Sequence, residues 1–196
     1  MILKEWKTIL ISALILLICV AFFIPFLDYH EHRADSLNIV FDDPLLKLLP
    51  ARDVSVYIFS LTYGSILIYL ALNYKVSHSV SMLILTYAVI VLFRIISMSL
   101  VPLKEPTGVV FLQDPFLNNL IYPGRIDTDL FFSGHTALLM AFFFTSSHRW
   151  VFIVMACVLG VLLMIQHVHY SIDIIGAVPF AYLAIKISKS IVRRWY

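Results

Sequence analysis

The chain has 196 residues, 61% of them hydrophobic, a mean hydropathy of +0.94 and a formal charge of +2. Soluble domains are about half apolar. This composition therefore excludes a soluble globular protein, leaves too little polar sequence for a separate soluble domain, and points to membrane lipid rather than nucleic acid as the surroundings.

A helix needs roughly 20 apolar residues to cross a hydrocarbon core of ~30 Å. The first run, 9–27, follows Lys4 and Lys7. It is too long for the apolar part of a signal peptide, and Pro25-Phe26-Leu27-Asp28 is a poor cleavage site, so a retained span is expected. Runs at 54–72 and 80–101 follow, the latter interrupted by Arg94. The 102–130 segment carries Pro102, Pro106, Pro115 and Pro123 with apolar clusters at 109–112 and 116–122. A polar linker does not look like this; the segment is expected to lie on the membrane surface over the functional site. The last runs, 131–147, 150–165 and 170–187, are shorter and span only if their polar ends lie inside the bundle. Pro179 is expected to kink the last of them, and Gly64, Gly160 and Gly176 to allow close helix packing. Cys19 and Cys157 lie mid-way along apolar runs and are expected as small core hydrophobes. Continuous runs without alternation argue against a barrel. The expected architecture is all-α: a single domain, 1–196, forming a six-transmembrane-helix bundle.

Six spans put both termini on one side. Lys4, Lys7, Lys75, Arg149, Lys186, Lys189, Arg193 and Arg194 fall there, with Glu5 as the acid. The opposite side holds Arg33, Lys47, Arg52, Lys104 and Arg125 with nearly all the acidic residues. Positive charge stays in the cytoplasm, so both termini are expected to be cytoplasmic and the 28–53 and 102–130 loops external, on the periplasmic or exoplasmic face of an inner or plasma membrane. At 1.5 Å per residue, His135, His169, Asp173 and Arg94 all fall roughly ~20–30 Å from the inner boundary. Polar residues from different spans thus share one layer in the outer leaflet, where intramembrane ionisable groups are costly unless they act together.

Two stretches carry the chemistry: Asp129-Leu130-Phe131-Phe132-Ser133-Gly134-His135-Thr136 and His167-Val168-His169-Tyr170-Ser171-Ile172-Asp173. His169 and Asp173 are four positions apart, which on a helix puts them one turn apart on one face. The carboxylate can accept from one ring nitrogen and leave the other as a nucleophile. Ser133 is a fitting N-cap, and His135 in the following first turn is placed for proton transfer. Backbone N–H groups at that helix start suit an anionic phosphate, and Gly134 lets the backbone come close. Arg94, a guanidinium inside an apolar run, is the expected phosphate clamp; Arg125 and Lys104 are weaker candidates. His30, His32, His78 and His148 are expected to be interfacial and solvated.

At these residues the chain resembles the sphingomyelin synthase family, within the type 2 phosphatidic acid phosphatase superfamily. The Asp-x-x-x-Ser-Gly-His-Thr pattern is met by Asp129 to Thr136, and the His-x-His-Tyr-[Ser/Thr]-x-Asp run by His167 to Asp173. Arg94-Ile95 through Leu100-Val101-Pro102 is similar to a third motif, and Pro50 to Asp53 to a short Pro/Asp element before the second helix. The likeness covers about residues 50–190, with the motif chemistry within 94–173. It implies a six-helix fold with an exoplasmic site, His169 as nucleophile, Asp173 as its orienting partner and His135 as proton shuttle. Arg94, Ser133, Gly134, Asp129, Tyr170 and His167 are expected on the substrate-binding side. The implied reaction moves a phospho-head-group of phosphocholine or phosphoethanolamine type from a phospholipid to a lipid alcohol such as ceramide or diacylglycerol, through a phospho-histidine.

The lipid phosphatase pattern of the superfamily has a Lys-x6-Arg-Pro element and an arginine six positions before the nucleophile; Leu163 stands at that position here, and Phe132 rather than proline precedes Ser133. These departures are shared with the synthase branch and favour phosphodiester chemistry. A minimal member of the family is expected, without a sterile-alpha-motif-type domain before the first span. His135, His167, His169, Asp173 and Asp129 offer zinc donors, but the superfamily chemistry needs no metal, and neither metal nor cofactor is expected. Two other functions are weighed beside transfer: a phosphatase or phospholipase C-like hydrolase using the same site with water as acceptor, and a non-enzymatic lipid transporter lined by the polar layer.

Overall fold

A computed structural model describes residues 2–73, 77–114 and 130–193, with side chains at 6–73, 80–114 and 130–193. Among these the fold is all-helical: α1 (Ile2–Leu37), a 3-10 turn (Leu46–Leu48), α2 (Ser55–Asn73), α3 (Ser77–Leu100), α4 (Gly134–Thr145), α5 (Arg149–Ile165) and α6 (Ser171–Val192). Four of them, α1, α2, α3 and α6, are long and apolar enough to cross a membrane. α4 and α5 are apolar but shorter, with 12 and 17 residues, or about 18 and 26 Å at the α-helical rise.

α1 lies against α3, and α4 packs on α5 and α6, with α3 and α2 closing the bundle. The α4–α6 core joins Phe132, Leu139, Leu159 and Leu163 to an alanine seam on α6, Ala177, Ala181 and Ala184. Small residues let helix backbones approach, which is how helices associate where lipid offers no hydrophobic contrast. A Cβ at Gly160 would lie 2.7 Å from Ile174 Cγ2, so that glycine is required by the α5–α6 crossing; Gly64 faces open space. Cys19 is buried between α1 and α3, whereas Cys157 is exposed on α5, contrary to the core position expected for it.

Three boundaries differ from expectation for local reasons. α1 continues through residues 28–37 instead of ending at the first acid, because this polar stretch holds neither glycine nor proline. Arg33 Nη1 donates to the Ser99 carbonyl at 2.7 Å and ties the extension to the end of α3. His30, expected in solvent, is therefore buried, stacked on Phe26 at 5.7 Å. α4 starts at Gly134 rather than at 131, since Phe131 adopts a φ of 88° and Ser133 caps the helix. α6 starts at Ser171, so His169 precedes the helix.

Residues 38–54 and 101–114 interlock over the α5–α6 connection. Lys104 N–H donates to Ile39 O at 2.8 Å, Val110 N–H to Gln166 O at 3.0 Å and Arg52 N–H to Ile165 O at 3.0 Å. Of the proline-rich segment, 102–114 thus rests on the same end of the bundle as the two histidine motifs; 115–129 lies outside the described residues.

Candidate functional site

Two hydrogen bonds build the site. His169 Nδ1 lies 3.3 Å from Asp173 Oδ2, and the Ser133 N–H donates to the Asp173 carbonyl at 3.1 Å. The first is the expected imidazole–carboxylate pair, made by a different geometry. His169 is in the connection and Asp173 is in the first turn of α6, so the bond runs across the helix start rather than along a helix face. The same Oδ2 accepts the Tyr170 N–H at 3.1 Å, an orphan donor of the helix start. One carboxylate oxygen therefore both begins the helix and orients the ring. With Nδ1–H donating to Asp173, Nε2 carries the free lone pair.

The Ser133–Asp173 bond ties the first motif to the second. Ser133 Oγ accepts the Thr136 N–H at 3.3 Å, capping α4 as expected, and His135 follows in the first turn. Its half-buried ring meets the Phe59 ring edge-on at 6.1 Å. His169, Arg94 and Asp114 lie close enough to act on it electrostatically. Arg94 is buried in α3 with Cζ 4.9 Å from the centre of the Phe23 ring. Its guanidinium lies directly on Gly134: a Cβ there would sit 2.5 Å from Nη1 and 2.9 Å from Cζ. Glycine at 134 is what admits the guanidinium to the start of α4. Arg94, Ser133, Gly134, His135, His169 and Asp173 are thus gathered from α3, α4 and the α5–α6 connection.

The remaining candidates have other places. His167, at a φ of 56°, points Nδ1 to Thr107 O (3.1 Å) and Nε2 to Leu49 O (3.0 Å) and so bridges the two outer loops. Tyr170 is buried, its hydroxyl donating to Lys104 O at 2.9 Å and accepting from Phe41 N–H at 3.4 Å. Lys104 pairs with Asp35 at 3.2 Å. Asp129 and Arg125 lie outside the described residues. Among the described residues, no three His, Cys, Asp or Glu side chains are grouped to hold a metal ion.

Three contributors were not singled out from the sequence. Gln166, fully buried, accepts Val54 N–H at 2.5 Å and donates to Ser55 Oγ (2.9 Å), Asp53 Oδ1 (3.2 Å) and Phe111 O (3.3 Å). A glutamine closing an apolar run just before His167 was its signal. Asp43 Oδ2 accepts the Ser171 N–H at 2.6 Å, and its Oδ1 accepts from Leu45 and Leu46 at 3.0 and 3.2 Å. Burial alone would push the Asp43 carboxyl up, but the bonds from Ser171, Leu46 and Leu45 outweigh it and hold the group below its ordinary value. Asp53 is likewise held low by the Ser55 N–H and hydroxyl and by Gln166. Asp114, which accepts from Tyr63 Oη at 2.8 Å, is the third; no local pattern marked it.

The chain matches no family model, no curated protein and no solved structure.

Proposed function

We propose that this protein is a membrane lipid phosphotransferase, of the sphingomyelin synthase kind that its motifs resemble. The observation that carries the reading is the Ser133 N–H to Asp173 carbonyl bond, which joins two histidine-bearing segments that are separate in sequence. Beside it stand a carboxylate-oriented imidazole, a second imidazole and a buried guanidinium.

In this reading His169 Nε2 attacks phosphorus, the bond from phosphorus to the glycerol oxygen breaks, and the phospho-head-group is left on His169. His135 protonates the departing alkoxide, then removes the proton from the incoming hydroxyl of ceramide or diacylglycerol as that oxygen takes the phosphoryl group. Asp173 holds Nδ1–H and stabilises the ring as it gains positive charge. Arg94, with the amide groups at the start of α4, binds the non-bridging oxygens. A cavity of about 190 Å³ is lined by Phe41, Asp42, Asp43, Lys47, Thr107, His167 and Tyr170 among others, but Lys47 pairs with Asp42 and Asp43 is held by backbone N–H groups, so it does not select a head group. In the membrane the reading takes all six helices as crossing or entering the bilayer, both termini cytoplasmic and the histidines toward the periplasmic or exoplasmic face. The basic residues around Lys186 to Arg193 support that orientation.

The test is incubation of purified protein with labelled phospholipids, with and without added ceramide or diacylglycerol. Chromatography should show a new phospholipid that requires the added alcohol. Head-group phosphate released regardless of the alcohol would mean that water is the acceptor. Full activity in His169→Ala would overturn both forms of the chemistry, and lipid flux surviving the loss of both His135 and His169 would favour a transporter.

A further inference from the structure

The end of α6 remote from the histidines has a built surface of its own. Lys186, Lys189, Ser190 and Arg193 follow a spacing of three, one and three and so share one face of the helix. They line a groove of about 600 Å³ whose apolar wall is Phe144, Tyr182 and Ile185. The Phe144 and Tyr182 rings meet at 5.5 Å, and Lys186 Nζ sits 4.8 Å over the Tyr182 ring.

Acidic residues are scarce in the helices around these cations. From 130 to 193 the one acidic residue is Asp173, and 54–103 contains none. Among the described residues, none of the three cations is in a salt bridge. Counted along α6, the groove's first cation, Lys186, lies about 20 Å from Asp173, in the other half of a bilayer.

We infer that this groove binds an anionic phospholipid of the leaflet opposite the histidine site, its phosphate among Lys186, Lys189, Arg193 and the Ser190 hydroxyl, its acyl chains along Tyr182, Ile185 and Phe144. Charge complementarity selects the occupant. Three cations with no carboxylate partner among the described residues suit a net-negative head group better than the ammonium of a zwitterionic one, and basic pockets between helices at a membrane face bind anionic head groups. Beside the apolar wall, Leu183 and Ile187 of the same helix are exposed, an apolar surface that a soluble anion would leave unused. The inference is independent of the reaction assigned to the histidines.

The test is native mass spectrometry of the purified full chain with phosphatidylglycerol or phosphatidylcholine. The wild type should retain phosphatidylglycerol in preference. The triple variant Lys186→Gln/Lys189→Gln/Arg193→Gln should lose it at least fivefold, with phosphatidylcholine retention unchanged. Arg149→Gln, at the same membrane face but with its guanidinium 5.4 Å over the Trp150 ring, should behave as wild type. Should the triple variant fail to fold, the exposed single change Lys189→Gln should give a partial loss of the same selectivity. Equal retention in the triple variant, an equal loss in Arg149→Gln, or displacement of the lipid by millimolar inorganic phosphate would each overturn the proposal.

Discussion

The two ends of α6 handle charge in opposite ways. At the start of the helix, Asp173 is fully buried and His169 almost so, and each is held by hydrogen bonds to backbone or to each other. At the far end, Lys186, Lys189 and Arg193 are exposed, with no carboxylate partner among the described residues. A buried polar group is destabilising unless it is paired, whereas a solvated cation at a membrane face carries little penalty. The first end therefore needs a supporting scaffold, and the 38–54 and 101–114 segments supply it through their bonds to Gln166, His167 and Ser171. The second end needs none and is left as an open basic surface. Substitutions should separate the two ends accordingly.

The largest effect belongs to the paired histidine. On the proposed reaction, His169→Ala should lower the turnover of folded protein by about 10³-fold or more, as expected when an essential nucleophile or proton-transfer group is removed, and the thermal unfolding midpoint should fall as well, because the buried Asp173 loses its imidazole partner. Full turnover per folded molecule, with only the amount of folded protein reduced, would make the pair structural and erase the contrast between the ends.

Gly134→Ala comes next. The added methyl must displace the Arg94 guanidinium, which is a flexible group, so stability should change by less than about 1 kcal/mol. Removal of one preorganised charge-stabilising contact should lower kcat by about 10²-fold, with KM less affected. Gly64→Ala, where the new Cβ meets open space, is the matched control and should leave both parameters alone. Equal behaviour of the two glycine variants would show that the Arg94–Gly134 contact has no part in the reaction.

The reach of sequence reasoning follows from the range of each interaction. The Ser133 cap and the His169–Asp173 pairing depend on neighbours within four residues, and both are found in the structure. The helical course assigned to His169 was not, because Asp173 caps the helix rather than continuing it backwards. Gln166 and Asp43 act on partners up to 113 and 128 positions away; a polar residue closing an apolar run marks Gln166 itself, but nothing local names its partners or marks Asp43. The burial of His30 has the same origin: the extension of α1 lies against the end of α3, and a histidine between acids reads as solvated until that packing is known. Apolar runs located all six helices, but α4 and α5 are shorter than a full crossing. Composition counts apolar residues and does not see a cap or a positive φ that trims them.

The scaffold itself is tested by Gln166→Leu. The substitution keeps the volume roughly but leaves the Val54 N–H without its acceptor and removes the donor to Asp53, Ser55 and Phe111. A buried polar network broken on one side costs about 2–3 kcal/mol. Thermal unfolding in detergent should show this loss, and activity should fall with it because the loops and the α5–α6 connection lose their shared anchor. A variant as stable as wild type would mean that the outer loops are held by backbone bonds alone.

Asp43→Asn gives the smallest effect and the one with a distinct pH signature. The amide keeps the shape but loses the charge-assisted bonds to Ser171, Leu45 and Leu46, a loss of about 1–2 kcal/mol near neutral pH. The folded-state pKa of Asp43 is lowered, so the folded protein holds its proton less tightly than the unfolded chain does. Its contribution is fully present above the unfolded carboxylate value of about 3.9 and is lost as pH falls through the folded value. Wild type should therefore exceed Asp43→Asn by a constant margin from neutral pH down to about pH 5, and the margin should shrink in more acidic solution. Unfolding midpoints measured for both proteins across that range decide it. A margin that persists unchanged well below the carboxylate range would show that Asp43 acts through the shape of its turn and not through its charge at the start of α6.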